Sequence, residues 1–527
     1  MKMQLPDIPE DQKTPLIQIL LRIIQEQSEQ IALLKDEVAK LKGQKTRPKL
    51  PKSKTADDAK NKSKHQDSEN GSQCTRSRKV PRKEQRVIEP DNLPIGSIFK
   101  GYEDYYVQDL RIESVEIQFR LAVYLGPDGS RIRGEVPSEY QRGHFSTELI
   151  AYCLSQYHQC HVTEPLLLEQ LYEMGIDMSP AQLSNILTKD QDLFHKEKQE
   201  VLKAGIAYSD FINADDTGAR HDGKNGYCTA IGSPLFSYFE STNSKSRINF
   251  LKVLQGEQRL YAITEESLDY AFEQGISTKS LAILERCKNK CFLDAKTWDA
   301  FLVTQIKFSK NDCKIATEAV LLGGLLQNGL NPNLITISDG AGQFAIFLHG
   351  LCWVHEERHY RKLIPISKTE EAEIEAIRSD IWDFYKALKA YKKQPTVPQQ
   401  IELSIRFDKL FGKMYESQKL NQLLAHTRSR KEGLLLVLKH PILPLHNNDC
   451  ERDIREYVKR RKISGSTRSE SGRLARDTFT SLKKTCKKLE VAFWDYLKDR
   501  LVNGAEIPRL ADLIKKKSQG STSPQMA

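Results

Sequence analysis

Three acidic residues in three distant parts of the sequence limit the folds open to this chain more than any other feature. Asp215 follows an apolar run in DFINADDTGAR, Asp339 ends the β-branched run LITISDG, and Glu451 lies in the first turns of a predicted helix. A carboxylate at the end of a buried run needs a partner or a metal ion, because desolvating its charge is costly. The chain is therefore expected to fold so that these residues meet and form a site for hard cations, which bind oxygen ligands.

Each acidic residue also has an ordinary interpretation, because an Asp after a strand is often a turn former or a helix cap. Asp216 adjoins Asp215, and alternation along a strand points neighbouring side chains to opposite faces, so only one of the two can face the site. Glu451 follows Asn447 and Asn448, which belong to a polar cluster denser than a helix cap requires. Spacing alone leaves both interpretations open.

Basic residues are concentrated in one polar segment. Residues 44–90 contain 14 Lys and Arg against 6 Asp and Glu, in a chain with a formal net charge of +10. Lys, Ser, Pro and Gln are frequent there and aromatic residues are rare, which predicts a basic disordered linker over 44–92. Such a segment attracts polyanions by releasing their counterions. A merely solubilising linker is the alternative, but the acidic motifs favour nucleic acid.

The residues before the linker carry a heptad pattern. Thr14 and Pro15 begin a predicted helix, apolar residues then recur at alternating steps of three and four, and Gly43 is placed to end it. Packing of this helix on its own chain is the alternative, but the polar linker isolates it from the rest of the chain. Residues 1–43 are therefore predicted to form a coiled coil through which the protein makes a homo-oligomer.

The next part of the chain changes from strand patterns to helical ones. Residues 93–142 are β-rich, and GPDGS is the turn of a predicted hairpin. Residues 143–195 contain two short helical patterns joined by a turn with glycine, which match a helix-turn-helix. Such a pair is also a common packing unit. As a DNA-binding motif it would place Gln182, Ser184 and Asn185 near base edges.

The remaining pattern is that of an α/β domain over residues 196–500. Three strand patterns after residue 205 predict an antiparallel meander, NLITIS predicts a short buried strand, and a helix is predicted through FAIFLHGLCWVHEERHYRKL. Polar helical insertions are predicted at about 256–330 and 366–440. Residues 501–527 are predicted to form a C-terminal helix and tail.

Composition argues against several classes of protein. The N-terminus resembles no secretory signal, and no run reaches the roughly 18 apolar residues of a membrane-spanning helix. A cytoplasmic protein without a membrane partner is therefore expected. The ten cysteines form no paired framework and are expected to be free thiols. Cys287 and Cys291 have no second ligand pair for zinc, and no Walker-type phosphate loop suggests ATP dependence.

Three motifs resemble the transposases of the bacterial insertion sequence 66 family. They are ADDTGAR, then ISDGAGQF with LCWVHEERHYRKL, then LPLHNNDCERDIREYVKRRK, and the ordered match covers residues 150–500. Members of the family are DDE transposases with a ribonuclease H-like catalytic core, so the resemblance implies that fold with helical insertions. By resemblance, Asp215, Asp339 and Glu451 are the three catalytic, metal-binding acids.

The resemblance implies metal-dependent cleavage of DNA at the ends of an insertion sequence and transfer of the 3′-hydroxyl into target DNA. Two Mg²⁺ ions, for which Mn²⁺ can substitute, would act on the attacking and leaving oxygens. Four residues would support the site: Asp216, Asn447, Asn448 and His355. Four basic residues would contact phosphates or else form a solvated helix face: Arg455, Arg460, Arg461 and Lys462.

The chain departs from the family pattern at three places. Asp216 stands where a Glu is usual, residues 93–140 contain no cysteine and so predict no zinc site, and the helical stretch between Ser246 and Asp339 is longer.

Two other functions stay open. They are a non-enzymatic DNA-binding protein derived from a transposase, and a ribonuclease H-like nuclease without strand transfer. The expected partners are double-stranded DNA and accessory proteins of the same element, which implies association with the nucleoid.

Overall fold

The computed structural model of the protein describes residues 87–521, apart from 91–93, 95–96, 104, 108, 138–139, 141–142 and 306–307. The predicted coiled coil over 1–43, nearly all of the linker and the end of the tail lie outside the described residues. The chain divides into a smaller unit, Pro9–Glu116, and a larger one that includes Ile117–Ala527. The described part of the smaller unit contains no helix or strand.

The larger unit starts with a hairpin and a set of short helices. The hairpin pairs β1 (Val123–Leu125) with β2 (Arg131–Arg133) across the GPDGS turn, as the sequence predicts. The other described residues between 97 and 142 form no strand, so the segment is less β-rich than predicted. The helices are α1 (Thr147–Leu154), a π-helical turn (Ser155–Gln159), α2 (Glu164–Glu173), α3 (Pro180–Thr188) and α4 (Asp192–Ala207).

Helices α2 and α3 are the two helices that match a helix-turn-helix, and they pack against each other. Ser179 and Gln182 form a capping box at the start of α3, which satisfies two of the free N–H groups there. Leu183 is fully buried and fixes one face of α3 on the core. Gln182 and Asn185 are exposed and Ser184 is half-buried, so the opposite face is open to a partner.

The main sheet begins with an antiparallel meander, as the sequence predicts. Asp215 is opposite Ala230 and Asp216 is opposite Thr229 in the pairing of the first two strands. Both acidic residues therefore lie inside a strand that continues beyond the apolar run. The strands are β3 (Phe211–His221), β4 (Lys224–Gly232) and β5 (Ser237–Thr242).

The first insertion is mostly helical and packs around a buried tryptophan. Trp298 is fully buried, and its ring stacks with those of Tyr261 and Phe301. A small two-stranded sheet lies within the same segment. The elements are α5 (Arg247–Gln255), β6 (Tyr261–Ala262), α6 (Glu265–Glu273), α7 (Thr278–Arg286), β7 (Cys291–Phe292), α8 (Ala295–Thr304) and α9 (Lys310–Gln327).

Two parallel strands complete the main sheet. The predicted NLITIS strand is β8 (Ile335–Ser338), which pairs with β3, and β9 (His349–Leu351) pairs with β8. The order of the five strands is β5–β4–β3–β8–β9, a mixed sheet that agrees with the predicted α/β class. The helix predicted through FAIFLHGLCWVHEERHYRKL is wrong in its first half. His349–Leu351 pair with the open edge of β8, whose unpaired backbone groups accept another strand.

The second insertion has a hydrophobic core of its own. Trp353, Phe384 and Phe407 are buried in a cluster separate from the main core. The segment is helical, as predicted, but begins before residue 366. Its helices are α10 (Trp353–Arg361), α11 (Lys368–Tyr391), α12 (Val397–Phe411), α13 (Gln418–Ser429), α14 (Lys431–Leu434) and α15 (Leu436–Lys439).

A long helix after the second insertion covers one face of the sheet. This helix, α16 (Asn448–Ser464), packs on β3 and β4. Its Tyr457 ring stacks with that of Phe239 in β5, with the ring centres 6.0 Å apart. No described helix is both long and apolar enough to cross a membrane. The remaining helices are α17 (Glu470–Lys488), α18 (Phe493–Leu501) and α19 (Leu510–Ser521).

Candidate active site

Three distant segments bring Asp215, Asp339 and Glu451 together. Asp215 lies in β3, Asp339 directly follows β8, and Glu451 lies in the first turn of α16. Strands β3 and β8 are neighbours in the sheet, and α16 packs on β3. Asp339 and Glu451 are near enough to Asp215 for their charges to raise its pKa. The acid-bearing strands are thus neighbours in the sheet, and the helix that carries Glu451 packs on one of them.

Asp215 carries the clearest electrostatic signal of the site. Burial, with repulsion from Asp339, Asp216 and Glu451, raises the pKa of Asp215 to about 7, although a hydrogen bond from the Asp216 N–H at 2.8 Å opposes the shift. An unfolded aspartate has a pKa near 3.8. The fold therefore loses stability from this group as the pH rises from about 4 to about 7, because in this range the unfolded chain ionises and the folded chain still holds the proton. A cation bound nearby would favour the ionised carboxylate and would therefore lower the pKa of Asp215 again.

Asp216 has a different environment from its neighbour. Thr229 donates a hydrogen bond to Asp216 Oδ1 at 2.6 Å, and Gln343 donates one to Oδ2 at 2.9 Å. These contacts tie Asp216 to β4 on one side and to the loop after β8 on the other. Asp216 thus accepts hydrogen bonds from two neutral side chains, whereas the negative charge of Asp215 is repelled by neighbouring carboxylates.

Glu451 is surrounded by basic side chains but keeps one oxygen unpaired. Its Oε1 lies 3.6 Å from His355 Nε2, and its Oε2 lies 3.7 Å from Arg358 Nη2. Arg358 also donates to His355 Nε2 at 2.9 Å, so that nitrogen accepts and cannot donate to Glu451. Burial and the charge of Arg358 lower the pKa of His355, which keeps its ring neutral. Glu451 Oε1 is consequently buried without a hydrogen-bond partner.

Asn447 fastens the start of α16 to β3. It is completely buried, donates to Ala214 O at 3.0 Å and accepts from Asn213 Nδ2 at 2.8 Å. Its side chain therefore bonds the strand instead of capping the helix. Asn448 begins the helix, and its N–H donates to His446 Nδ1 at 3.4 Å. The first turn of α16 is thus held against the strand that carries the first acid.

The four basic residues of α16 that the sequence predicts at phosphates are not equivalent. Arg455 and Lys462 are exposed. Arg461 is half-buried, and its guanidinium donates to a carbonyl of β3. Arg460 is buried, and its guanidinium carbon lies 3.7 Å from the centre of the Tyr157 ring. The structure thus contradicts the predicted phosphate contact of Arg460. Five residues after Arg455, the rotation of the helix places this side chain on the face of α16 that packs against the rest of the protein.

Sequence reasoning missed several residues that contact the acids or their loops. Arg358 could have been found, because it lies three residues after His355 on one helical face. Gln343 lies in the ISDGAGQF motif, but nothing in its spacing indicates a bond to Asp216. Other contacts come from arginines in distant helices and leave no local signal.

The donor set is suited to a divalent cation. Three carboxylates offer the oxygen ligands that Mg²⁺ prefers, and Glu451 Oε1 is a buried acceptor without a partner. In the part of the chain that the structure describes, no three His, Cys, Asp or Glu side chains are already arranged to hold a metal ion. Cation binding would therefore require the carboxylates to turn, and Glu451 to separate from Arg358.

Comparison with known proteins agrees with this architecture. A family model described as "Transposase IS66 family" matches residues 339–475, which include Asp339 and Glu451. The chain is also 38% identical over 321 residues to "Uncharacterized protein y4jO" of Sinorhizobium fredii, in an alignment that covers 60% of this chain and 100% of that relative. The α/β core and the family match define a member of the transposases. The chain belongs to the IS66 transposase family.

Proposed function

We propose that the chain is a DDE-type DNA transposase that cuts DNA at the ends of an insertion sequence and transfers the new 3′-hydroxyl into target DNA. The placement of Asp215 in β3, of Asp339 directly after the neighbouring β8, and of Glu451 in a helix that packs on β3 supports this proposal most directly. The five-stranded mixed sheet closed by α16 supports a ribonuclease H-like core. Double-stranded DNA is then the substrate. Self-association through residues 1–43 and accessory proteins of the element stay predictions from the sequence.

The three acids would hold two Mg²⁺ ions, or Mn²⁺ in their place. When bound, such ions activate the attacking oxygen and stabilise the leaving oxygen of a phosphodiester. Asp216 ties β3 to the loop after β8, and Asn447 ties α16 to β3, so these residues set the separation of the acids. Arg358 would be released when Glu451 turns away and could then bind a phosphate oxygen beside the acids.

A row of exposed cations leads away from the acids along α16. Its members recur every three or four residues, so they share one face of the helix. The row begins one residue after Glu451, which places it beside the proposed point of cleavage. We propose that it contacts the DNA backbone, with the exposed face of α3 as a second contact. The members of the row are Arg452, Arg455, Lys459 and Lys462.

A double substitution in this row tests the DNA contact. The Arg455→Gln, Lys462→Gln variant is expected to lower the slope of log affinity against log salt concentration by about 2, because each lost phosphate contact removes about 1. Fluorescence anisotropy with duplex DNA at several salt concentrations measures the slope. The matched control is Lys386→Gln, Lys389→Gln, which removes two exposed charges from α11. Equal slopes for the two double variants would contradict the proposed contact.

The pH dependence of cation binding tests the role of Asp215. Because a carboxylate must lose its proton to bind a metal, and the pKa of Asp215 is about 7, Mn²⁺ affinity is expected to fall as the pH is lowered through 7. The fall approaches about tenfold per pH unit below that point. Isothermal titration calorimetry measures it, and Asp215→Asn should lose the inflection near pH 7. An affinity that stays constant across this range would argue against Asp215 as a ligand.

A strand-transfer assay tests the proposed function as a whole. The full-length protein is incubated with duplex DNA that carries the element's end sequences, target DNA and Mg²⁺, with Asp339→Ala as the inactive control. Joined products that require both Mg²⁺ and Asp339 are expected. DNA binding without metal-dependent cutting would instead indicate a DNA-binding derivative of a transposase. Nicked products without joining would indicate a nuclease.

A further inference from the structure

We propose that the two helical insertions each direct one arginine onto the Asp339 loop, residues 339–344, and that Arg247 and Arg430 are positioning residues that hold Asp339 in place for the cation. The inference rests on the proposed function, in which Asp339 is a cation ligand. It gives the insertions a role that their sequence does not reveal. Neither arginine reaches the reacting atoms, and both act through the loop backbone.

Arg247 connects the loop to the first insertion. Its Nη2 donates to Gly342 O at 2.8 Å. Its Nη1 donates to Tyr270 OH at 2.9 Å, in α6, and to Gln274 Oε1 at 2.8 Å, directly after that helix. Glu318 of α9 lies 3.5 Å from the same nitrogen and is itself buried. The insertion thus holds Nη1 of the Arg247 guanidinium, and Nη2 is left to bond the loop.

Arg430 connects the loop to the second insertion, at the junction of α13 and α14. Its Nη1 donates to Glu356 Oε2 at 2.9 Å, and Thr427 donates to Oε1 of the same buried carboxylate at 2.6 Å. The guanidinium lies against Gly340, where an added Cβ would overlap Nη2. Gly340 has φ +92°, a conformation that favours glycine. The loop can therefore approach Arg430 only because residue 340 has no side chain.

The two contacts lie on either side of the short turn that orients the carboxylate of Asp339. Asp339 Oδ1 accepts the N–H of Ala341 at 3.0 Å, between the glycines that the two arginines contact. Freeing either contact would let the turn move and carry the carboxylate with it. Residues that orient a metal ligand in this way typically change metal affinity by about 10–100-fold when they are replaced.

The test compares Arg247→Gln and Arg430→Gln with a matched control in the full-length protein. The control is Arg378→Gln, which removes the same charge from an ion pair with Glu357 inside the second insertion. Amide hydrogen exchange over residues 338–347 reports the loop, and electron paramagnetic resonance reports Mn²⁺ binding. Both test variants are expected to exchange about tenfold faster in this peptide, since each frees one contact of the loop. The control should match the wild type.

Mn²⁺ titration separates a positioning role from general damage. Arg247→Gln and Arg430→Gln are expected to bind Mn²⁺ about 10–100-fold more weakly, yet to recover most of the cutting rate at saturating Mn²⁺. Asp339→Asn should not recover at any concentration. A cutting rate that stays low at saturating Mn²⁺ in both arginine variants would overturn the positioning role.

The loop measurement also separates this inference from the proposed function. If the wild type shows no Asp339-dependent Mn²⁺ binding, the proposed function fails, while exchange over 338–347 still decides whether the arginines hold the loop. Unchanged exchange in both Gln variants would overturn the inference. If a Gln variant exchanges faster throughout the chain, the Lys variants decide. In Arg247→Lys and Arg430→Lys the charge is kept, but the forked donors of Arg are lost. Wild-type exchange over residues 338–347 in these Lys variants would then refute the inference.

Discussion

Exchanging Asp339 for Asn is expected to reduce metal-dependent DNA cutting about a thousandfold, equivalent to about 4 kcal/mol in the activation free energy. The amide keeps the size of the side chain but removes a negative charge from the group of acids that would hold the cations. Charge stabilisation by a bound cation contributes several kcal/mol to such reactions. A gel assay of Mg²⁺-dependent nicking on end-sequence DNA measures the rate.

Asp222→Asn provides the matched control for this substitution. Asp222 lies in the exposed turn between β3 and β4 with φ +46°, a conformation that Asn also tolerates. Its replacement removes the same charge and is expected to leave the cutting rate within about twofold of wild type, since surface changes have small effects. If Asp339→Asn cuts as fast as this control, Asp339 is not part of the active site.

Replacing Arg500 by Gln is expected to lower the free energy of unfolding by about 3–5 kcal/mol, because it removes the cation shared by two buried carboxylates, those of Glu197 and Asp499. Glu197 then keeps the charge of Arg509, which lies farther away at 3.3 Å. Arg500 of α18 donates to both oxygens of Glu197 in α4, at 2.8 and 3.1 Å, and both side chains are almost fully buried. Urea denaturation followed by circular dichroism measures the change. The double variant Glu197→Met, Arg500→Met should regain only part of the loss, since the buried Asp499 then still lacks its arginine.

Arg452→Gln is the control for the loss of an arginine from an ion pair. Arg452 pairs with Asp449, and both side chains are largely exposed, at 67% and 41%. Exposed pairs contribute at most about 1 kcal/mol, because solvent screens them. Equal losses for Arg452→Gln and Arg500→Gln would show that the buried pair contributes no more than a surface one.

The parts of the fold that follow from local patterns could be predicted from the sequence. The meander of β3–β5, the buried strand β8 and the long helices each have a clear periodicity in the chain. Strand β9 has no such periodicity, because the run FLHGL suits a helix as well as a strand. Its conformation is decided by the open edge of β8, which is a tertiary feature.

The candidate site also has a part that the sequence predicts and a part that it does not. Motif resemblance predicts that Asp215, Asp339 and Glu451 belong together, but it does not predict their surroundings. Arg460 is turned inward onto Tyr157, which lies in a π-helical turn that no pattern in the sequence indicates. The arginines on the Asp339 loop come from helices far away in the chain. Contacts of this kind depend on how the insertions pack, and no local periodicity records that packing.

If the three acids act together as proposed, the order of synthesis sets the moment at which a newly made molecule becomes competent. Ribosomes add about 5–20 residues per second, so Asp215 and Glu451 leave the ribosome on the order of tens of seconds apart. Until α16 emerges and Asn447 docks on β3, the nascent chain holds only two of its three acids. A chain released before residue 451 would then lack one of the proposed cation ligands, and it is expected not to nick DNA.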